Sequence, residues 1–449
     1  MGALSAPPAA RSRGRARCAG LLLALALPGC AAERLVEREA LADPLMGFAP
    51  AAVVEPPGGG SPVHAPLPAD SLRLALSADG DPGADARAAS QATSLRAALE
   101  LVEGFGLEAG YGEGWSRERV HKLDGFAGPL DLTRLEHGPD AALLYDDGTS
   151  LLRAGYRYRT AWDGDRHEPG FSARTHVLGR DTLLEVGYLR RIAFVEVDAT
   201  HRPAGGEPLD ARRDEDCFLA ALEQGFLPGV ALRLDLEARL EQGFLQSPYR
   251  QVSLWSHRPG EPAAPPGAAP QVLPEQHPGS RARFGALLRA RFLLPALAGA
   301  LELGGGYGAD TWRVEHARVQ LGYHQRLGDL ARLSLEGGAY HQIRASFYRD
   351  DYPDGPPGSY WTADRQLSAY LAWWAQASLG LAFLPIEGRL MGMFRALHLE
   401  LGVRVVRSDF GFEDPPNGFS AYDSLAGGAP RAFDAGWGLG GFVGLAAEF

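Results

Sequence analysis

Hydrophobic and polar residues alternate along much of this chain. From Val230 to Leu240, Val230, Leu232, Leu234, Leu236, Ala238 and Leu240 fall on one face and Arg233, Asp235, Glu237 and Arg239 on the other, because successive strand side chains point to opposite sides. Residues 396–406 repeat the pattern, with Leu397, Leu399, Leu401, Val403 and Val405 against His398, Glu400, Gly402 and Arg404. A third stretch sets Val319, Leu321 and Tyr323 against Arg318, Gln320, Gly322 and His324. The chain ends in the same way, with Val443, Leu445, Ala447 and the aromatic Phe449 sharing one face. Runs of about 10–14 residues at period two predict strands long enough to cross a bilayer at a tilt.

A water-soluble sandwich also alternates. The spacing of the turns favours the membrane reading. Short connections are expected near Asp146-Asp147-Gly148, Gly179-Arg180-Asp181, Leu227-Pro228-Gly229, Leu294-Pro295 and Gly328-Asp329. Long polar ones cover roughly 112–138, 198–213, 243–281, 344–364 and 407–435, and outer-membrane barrels pair short turns on one side with long loops on the other. The predicted fold is all-β: a transmembrane antiparallel up-and-down barrel of about 14 strands, in the range 12–16. If Gly328 centres a tight turn, Leu321 pairs with Leu335, Val319 with Gly337, Gln320 with Glu336, His324 with Arg332 and His316 with Tyr340. A slip of one residue would turn Glu336 to the apolar face.

The N-terminus reads as an export signal. Arg11, Arg13, Arg15 and Arg17 precede the apolar run from Ala19 to Leu27, which is too short for a membrane-spanning helix. Leu27-Pro28-Gly29-Cys30 has the form of a lipobox, so Cys30 is the expected lipidation site. The expected domains are a lipoprotein-type signal peptide at 1–29, a small segment at 30–48, a Pro/Gly/Ala-rich linker at 49–94 and the barrel at 95–449. Removing 1–29, with four arginines and no acids, takes the net charge from −11 to about −15, which argues against a nucleic-acid partner. Of three cysteines only Cys217 then remains a free thiol.

Four blocks, in order, resemble the signature of a family of Gram-negative proteins catalogued only as a domain of unknown function. They are Glu241-Gln242-Gly243-Phe244-Leu245-Gln246-Ser247-Pro248-Tyr249-Arg250; Ala309-Asp310-Thr311-Trp312 followed by His316; Phe347-Tyr348; and Ala363-Asp364-Arg365-Gln366-Leu367-Ser368. The resemblance is close over 230–380, looser over 95–449, and implies an outer-membrane barrel. A second, short stretch, Val36 to Met46, is similar to the start of a family of very small uncharacterised lipoproteins.

Candidate chemistry is sparse. His316 and His324 are eight residues apart, about 26 Å along an ideal strand, so they cannot share one ion. No metal-ligand spacing is present, and neither a metal nor a cofactor is expected. The acidic run Asp350-Asp351-Tyr352-Pro353-Asp354-Gly355 reads as a loop turn. Ser346, Ser368 and Ser378 have no paired histidine and acid at a readable spacing, so an enzyme ranks third among the readings. Strand aromatics such as Tyr156, Tyr307, Trp312, Tyr340, Tyr370, Trp373, Trp374 and Trp437 suit girdles at the membrane interfaces. The residues expected to face the lumen are Arg233, Asp235, Glu237, Arg239, Gln320, His324, Glu336, His398, Glu400 and Arg404. The first functional expectation is a pore or transporter for small solutes in a Gram-negative outer membrane. The second is a scaffold holding a periplasmic protein partner. Outer-membrane lipids are expected partners, as is the barrel-assembly machinery through Phe449 and its strand.

Overall fold

The computed structural model describes residues 71–80, 88–120, 130–177, 181–197, 209–249, 251–254, 271–328, 330–349, 352, 358–362, 364–383, 394–409 and 436–448. The expected signal peptide, Cys30, the 30–48 segment, the acids around Tyr352 and Phe449 all lie outside these residues.

The strands are β1 (Ser71–Gly80), β2 (Ala88–Val102), β3 (Phe105–Val120), β4 (Leu130–Asp146), β5 (Ser150–Ala161), β6 (Gly164–Val177), β7 (Thr182–Val197), β8 (Leu209–Leu227) and β9 (Val230–Gly243). After a small hairpin of β10 (Gln251–Leu254) and β11 (Gln271–Pro274) come β12 (Ser280–Leu294), β13 (Gly299–Asp310), β14 (Glu315–Leu327), β15 (Ala331–Ile343), β16 (Tyr370–Phe383), β17 (Ala396–Asp409) and β18 (Gly436–Glu448). All except β10 and β11 pair antiparallel in chain order. β9 pairs with β12, and β1 closes on β18 to make a barrel of 16 strands.

Sixteen corrects the expected count of about 14, and the two additional strands are β1 and β3. β1 lies inside the stretch read as linker. The barrel therefore starts at Ser71 rather than residue 95, with β2 beginning at Ala88. β3 carries Gly106, Gly110, Gly112 and Gly114 on its even positions, so much of one face has no side chain to signal alternation.

Burial is inverted relative to a water-soluble protein. On β9, Leu234, Leu236 and Leu240 are 36%, 44% and 40% exposed, whereas Arg233, Asp235, Glu237 and Arg239 are 2–5% exposed. Direct pairing carries this division around the wall. Arg233 is opposite Glu223 and Arg289, and Leu234 is opposite Leu222 and Leu288. The charged row is the enclosed face and the leucine row the outer one. Outer aromatics include a continuous row of Phe171, Tyr188 and Phe218 on β6–β8, along with Tyr307, Trp373 and Trp437. Four of the expected girdle aromatics are elsewhere, among them Trp374, which shares the enclosed face of β16 with Gln376. Tyr340 and Tyr370 are buried together on the enclosed face, and Trp312 is buried outside the strands. Among the described residues no helix is long and apolar enough to cross a membrane.

The connections at the end where Ser71 meets Glu448 are mostly tight: 103–104, 147–149, 228–229, 295–298 and 328–330. One of these turns is fixed by Asp147. Its carboxylate accepts from Ser150 and Thr149 backbone N–H groups at 2.7 and 2.9 Å, which lowers its pKa. At the other end lie the long connections 198–208, 244–279, 344–369 and 410–435. The β14–β15 register differs from expectation by two residues. Leu327 pairs with Ala331, so the turn spans three residues centred on position 329, with Gly328 at φ 67°. Leu321 therefore meets Gly337, Arg318 meets Tyr340 and His324 meets Ser334. An even shift changes every partner but keeps every side chain on its face.

Candidate functional site

Two arrangements stand out: a lattice of charges on the enclosed face, and a packed cap at the long-loop end.

The lattice follows from register. Because β7, β9, β12 and β13 bring arginines beside carboxylates at hydrogen-bonding distance, charge alternates around the wall. Arg233 donates to Glu185 at 2.9 Å and to Asp235 at 2.8 Å, and lies 3.3 Å from Glu223. Asp235 also accepts two bonds from Arg289, at 2.7 and 3.1 Å. Arg291 pairs with Glu302, which also accepts from Gln320 at 3.2 Å. Arg239 lies 3.6 Å from Glu215 and binds Glu237, whose other neighbour is the buried thiol of Cys217. Buried charges are tolerated when they are paired and hydrogen-bonded. Glycines on β13 make room for this. A Cβ on Gly308 would lie 2.3 Å from the His316 ring, and one on Gly304 2.6 Å from Gln320.

Of the residues expected to line a lumen, Arg233, Asp235, Glu237, Arg239 and Gln320 share this lattice. His324 is buried nearby, with Nδ1 3.0 Å from the Ser334 hydroxyl. Glu336 is half-buried on β15, opposite Gly322. His398, Glu400 and Arg404 belong to a different stretch of wall. His398 contacts Glu448 at 3.3 Å, and Glu400 lies 3.9 Å from Arg73. There the side chains of Arg73, Glu400 and His398 are 43–46% exposed. Arg404 faces Gln376 across β16 and β17. Among the described residues no three His, Cys, Asp or Glu side chains are placed to hold a metal ion.

The cap was not legible as a unit. Trp312, Val314, Ala345, Phe347, Tyr348 and Leu367 form one buried cluster, with Leu245 packed against it. Each of the four family-like blocks contributes to it. Trp312 stacks edge-on against Phe347 and against His277, with centroids 5.2 and 5.3 Å apart. Its indole donates to Ser280 O at 2.9 Å, and the Arg281 guanidinium lies 4.5 Å from its ring centroid. Asp310 shapes the turn. One carboxylate oxygen accepts from Trp312 N and Val314 N at 2.8 and 2.9 Å, and the other is bound by Arg281.

A second knot joins 271–277 to 347–362. Tyr352 donates to Phe347 O at 2.6 Å and accepts from Thr362 N at 2.7 Å, and Thr362 donates to Glu275 at 2.8 Å. Burial raises the pKa of the Tyr352 phenol above its usual range. Glu275 lies 3.6 Å from His277.

The cap leans over the enclosed side. Gln342, on the enclosed face of β15, donates to Gln366 O and Ser368 O at 2.8 and 2.9 Å. Tyr249 packs on Val195, Val197 and Leu209, and its hydroxyl donates to Asp163 at 3.1 Å. Contacts from the 244–279 connection thus reach the β5–β6 turn at one side of the mouth and the β13–β15 cluster at another.

Residues 193–384 match the family model described as "Protein of unknown function (DUF3570)". No curated protein matches the sequence. Among solved structures, a bacterial polysaccharide outer membrane secretin is similar at 9% identity and TM-score 0.45, over 85% of this chain and 99% of its own. OprB of Pseudomonas putida is similar at 9% identity and TM-score 0.37, over 84% and 93%. The ferric enterobactin receptor PfeA is similar at 11% identity and TM-score 0.40, over 76% of this chain, which spans 54% of the receptor. All four family-like blocks fall within the matched region, so over residues 193–384 the chain is similar to this family of unknown function.

Proposed function

We propose that this protein is a Gram-negative outer-membrane barrel that passes small polar solutes through a narrowed, capped conduit. An apolar outer belt around a charged enclosed face supports placement in lipid. Tight turns at the end shared by the strand termini support a periplasmic position for that end. Lipidation of Cys30, and recognition of the C-terminal strand by the assembly machinery, belong to the same reading.

The observation that carries the conduit is the uneven filling of the enclosed face. From β7 to β13 it is packed with paired charges. From β16 to β2 it presents Ser378, Gly402, Gly444, Ala75 and Ser94, with the Phe442 ring lying over Gly402, and water reaches Arg73 and Glu400 there. Small residues facing long ones leave an off-centre passage, in a barrel wider than eight strands can fill.

Single-channel recording in a planar bilayer tests this. The full-length protein should give stable steps. Trp312→Ala, which removes the centre of the cap cluster, should increase open time or step size. Silence from both proteins, in samples that run as folded barrels, would favour the scaffolding reading and direct attention to a periplasmic partner.

A further inference from the structure

The net charge of the chain is −11, which by itself would suggest a passage favouring cations. The enclosed face is built the other way. In the half of the barrel nearer the long loops, Arg239 is buried together with Glu215 and Glu237, but around Glu168 and Glu241 the carboxylates lie at the bottom of the lattice and the guanidinium groups cover them. Glu168 is the clearest case. It accepts from Arg157 at 3.0 Å and Arg191 at 2.8 Å and lies 2.9 Å from Arg166. Its side chain is 1% exposed, against 20%, 26% and 28% for the three arginines. Glu241 repeats the arrangement at 2%, between Arg213 at 38% and Arg283 at 16%.

The cause is geometric. On adjacent strands with facing positions in register, the longer arginine reaches over the shorter acid, so the outermost atoms of each pair are cationic. Arg191 is shared with Glu215 and Arg166 with Glu136, so the cluster is cationic in its outermost atoms rather than in its net charge. Toward the tight-turn end the order is mixed: Arg153 still covers Glu108, at 15% against 3%, but other pairs do not follow it. Arg73 and Glu400 are equally exposed, and Glu185 is more exposed than Arg233. The cationic surface is therefore a zone on the long-loop side, where a solute coming from that mouth is first met.

We infer that the passage selects anions, taking small solutes that carry carboxylate, phosphate or sulfate groups, and that Arg157, Arg166, Arg191 and Arg213 form the selecting surface. Guanidinium forks match such oxyanions in two-point geometry, and rings of basic side chains favour anions in pores. This inference rests on the conduit reading above.

The test is the reversal potential of the reconstituted full-length protein in a KCl gradient. Its sign should show chloride preferred over potassium, and the preference should shrink as salt rises on both sides. Arg157→Gln with Arg191→Gln should move the reversal potential toward zero, and Arg157→Lys with Arg191→Lys should restore it. Inorganic phosphate added on the long-loop side should reduce chloride current in the wild type more than in the double Gln variant. Steady current with potassium preferred would overturn the inference and leave the conduit standing. No current from a folded barrel would overturn both. Because the wild-type sign decides between these outcomes, the result does not depend on any variant folding.

Discussion

Leu236 and Glu237 are neighbours in the chain and occupy different environments: one is 44% exposed on the outer face and the other 3% exposed in the charge lattice. Leu236→Arg should therefore cost about 2–4 kcal/mol if this position lies near the membrane midplane. An unchanged urea midpoint in lipid vesicles would place Leu236 outside the apolar belt. Cys217 makes the complementary point from inside. It is 1% exposed beside Glu237 and Arg239, and a buried thiol without access is chemically inert. A maleimide reagent should leave the folded barrel unlabelled and label one thiol per chain only after denaturation, provided Cys30 is capped by lipid. Labelling of the native protein at Cys217 would mean that water and reagent reach the lattice from the wall side.

At the scale of the strand, contrast decided what could be read. β9, β14 and β17 were legible because leucine or valine alternates with arginine, glutamate, histidine or glutamine. β3 was hidden because half of its enclosed face is glycine, and β1 because it sits in a proline-rich neighbourhood. The facing of β14 and β15 was legible while their pairing was not. Period two reports the face, whereas the partner depends on whether a turn has two residues or three. Within β13, Gly304 and Gly306 give space to the side chains of β12 and β14. Gly308→Ala tests that role. Its new methyl group would press on His316, with an expected loss of about 1–3 kcal/mol. Equal stability by urea titration would show that the His316 ring can swing aside without cost.

At the scale of the whole molecule, the cap is what the sequence could not reveal. Its four blocks were visible as motifs, but they are spread from Leu245 to Leu367. Lateral pairing from β9 through β12 to β16 brings the β9, β13, β15 and β16 ends together. Tyr352→Phe probes the cap without touching the wall, since it keeps the ring and leaves the Thr362 N–H without its acceptor. The expected cost is about 1–3 kcal/mol of local stability. Limited proteolysis should cut the long loops faster while heat modifiability of the barrel stays the same. Loss of both together would mean that cap and wall unfold as one unit.

The seam between β1 and β18 joins residues 71–80 to residues 439–448. Lengthening such a loop is cheap at equilibrium, since each doubling costs only about 0.6 kcal/mol. The burden falls on timing. Until the final strand arrives, β1 has no partner on that side, and a half-built wall would show a raw hydrogen-bonding edge to whatever it meets. Construction therefore has to wait for the last residues to arrive. A chain cut a few residues short should be degraded rather than accumulate as a slightly weaker barrel.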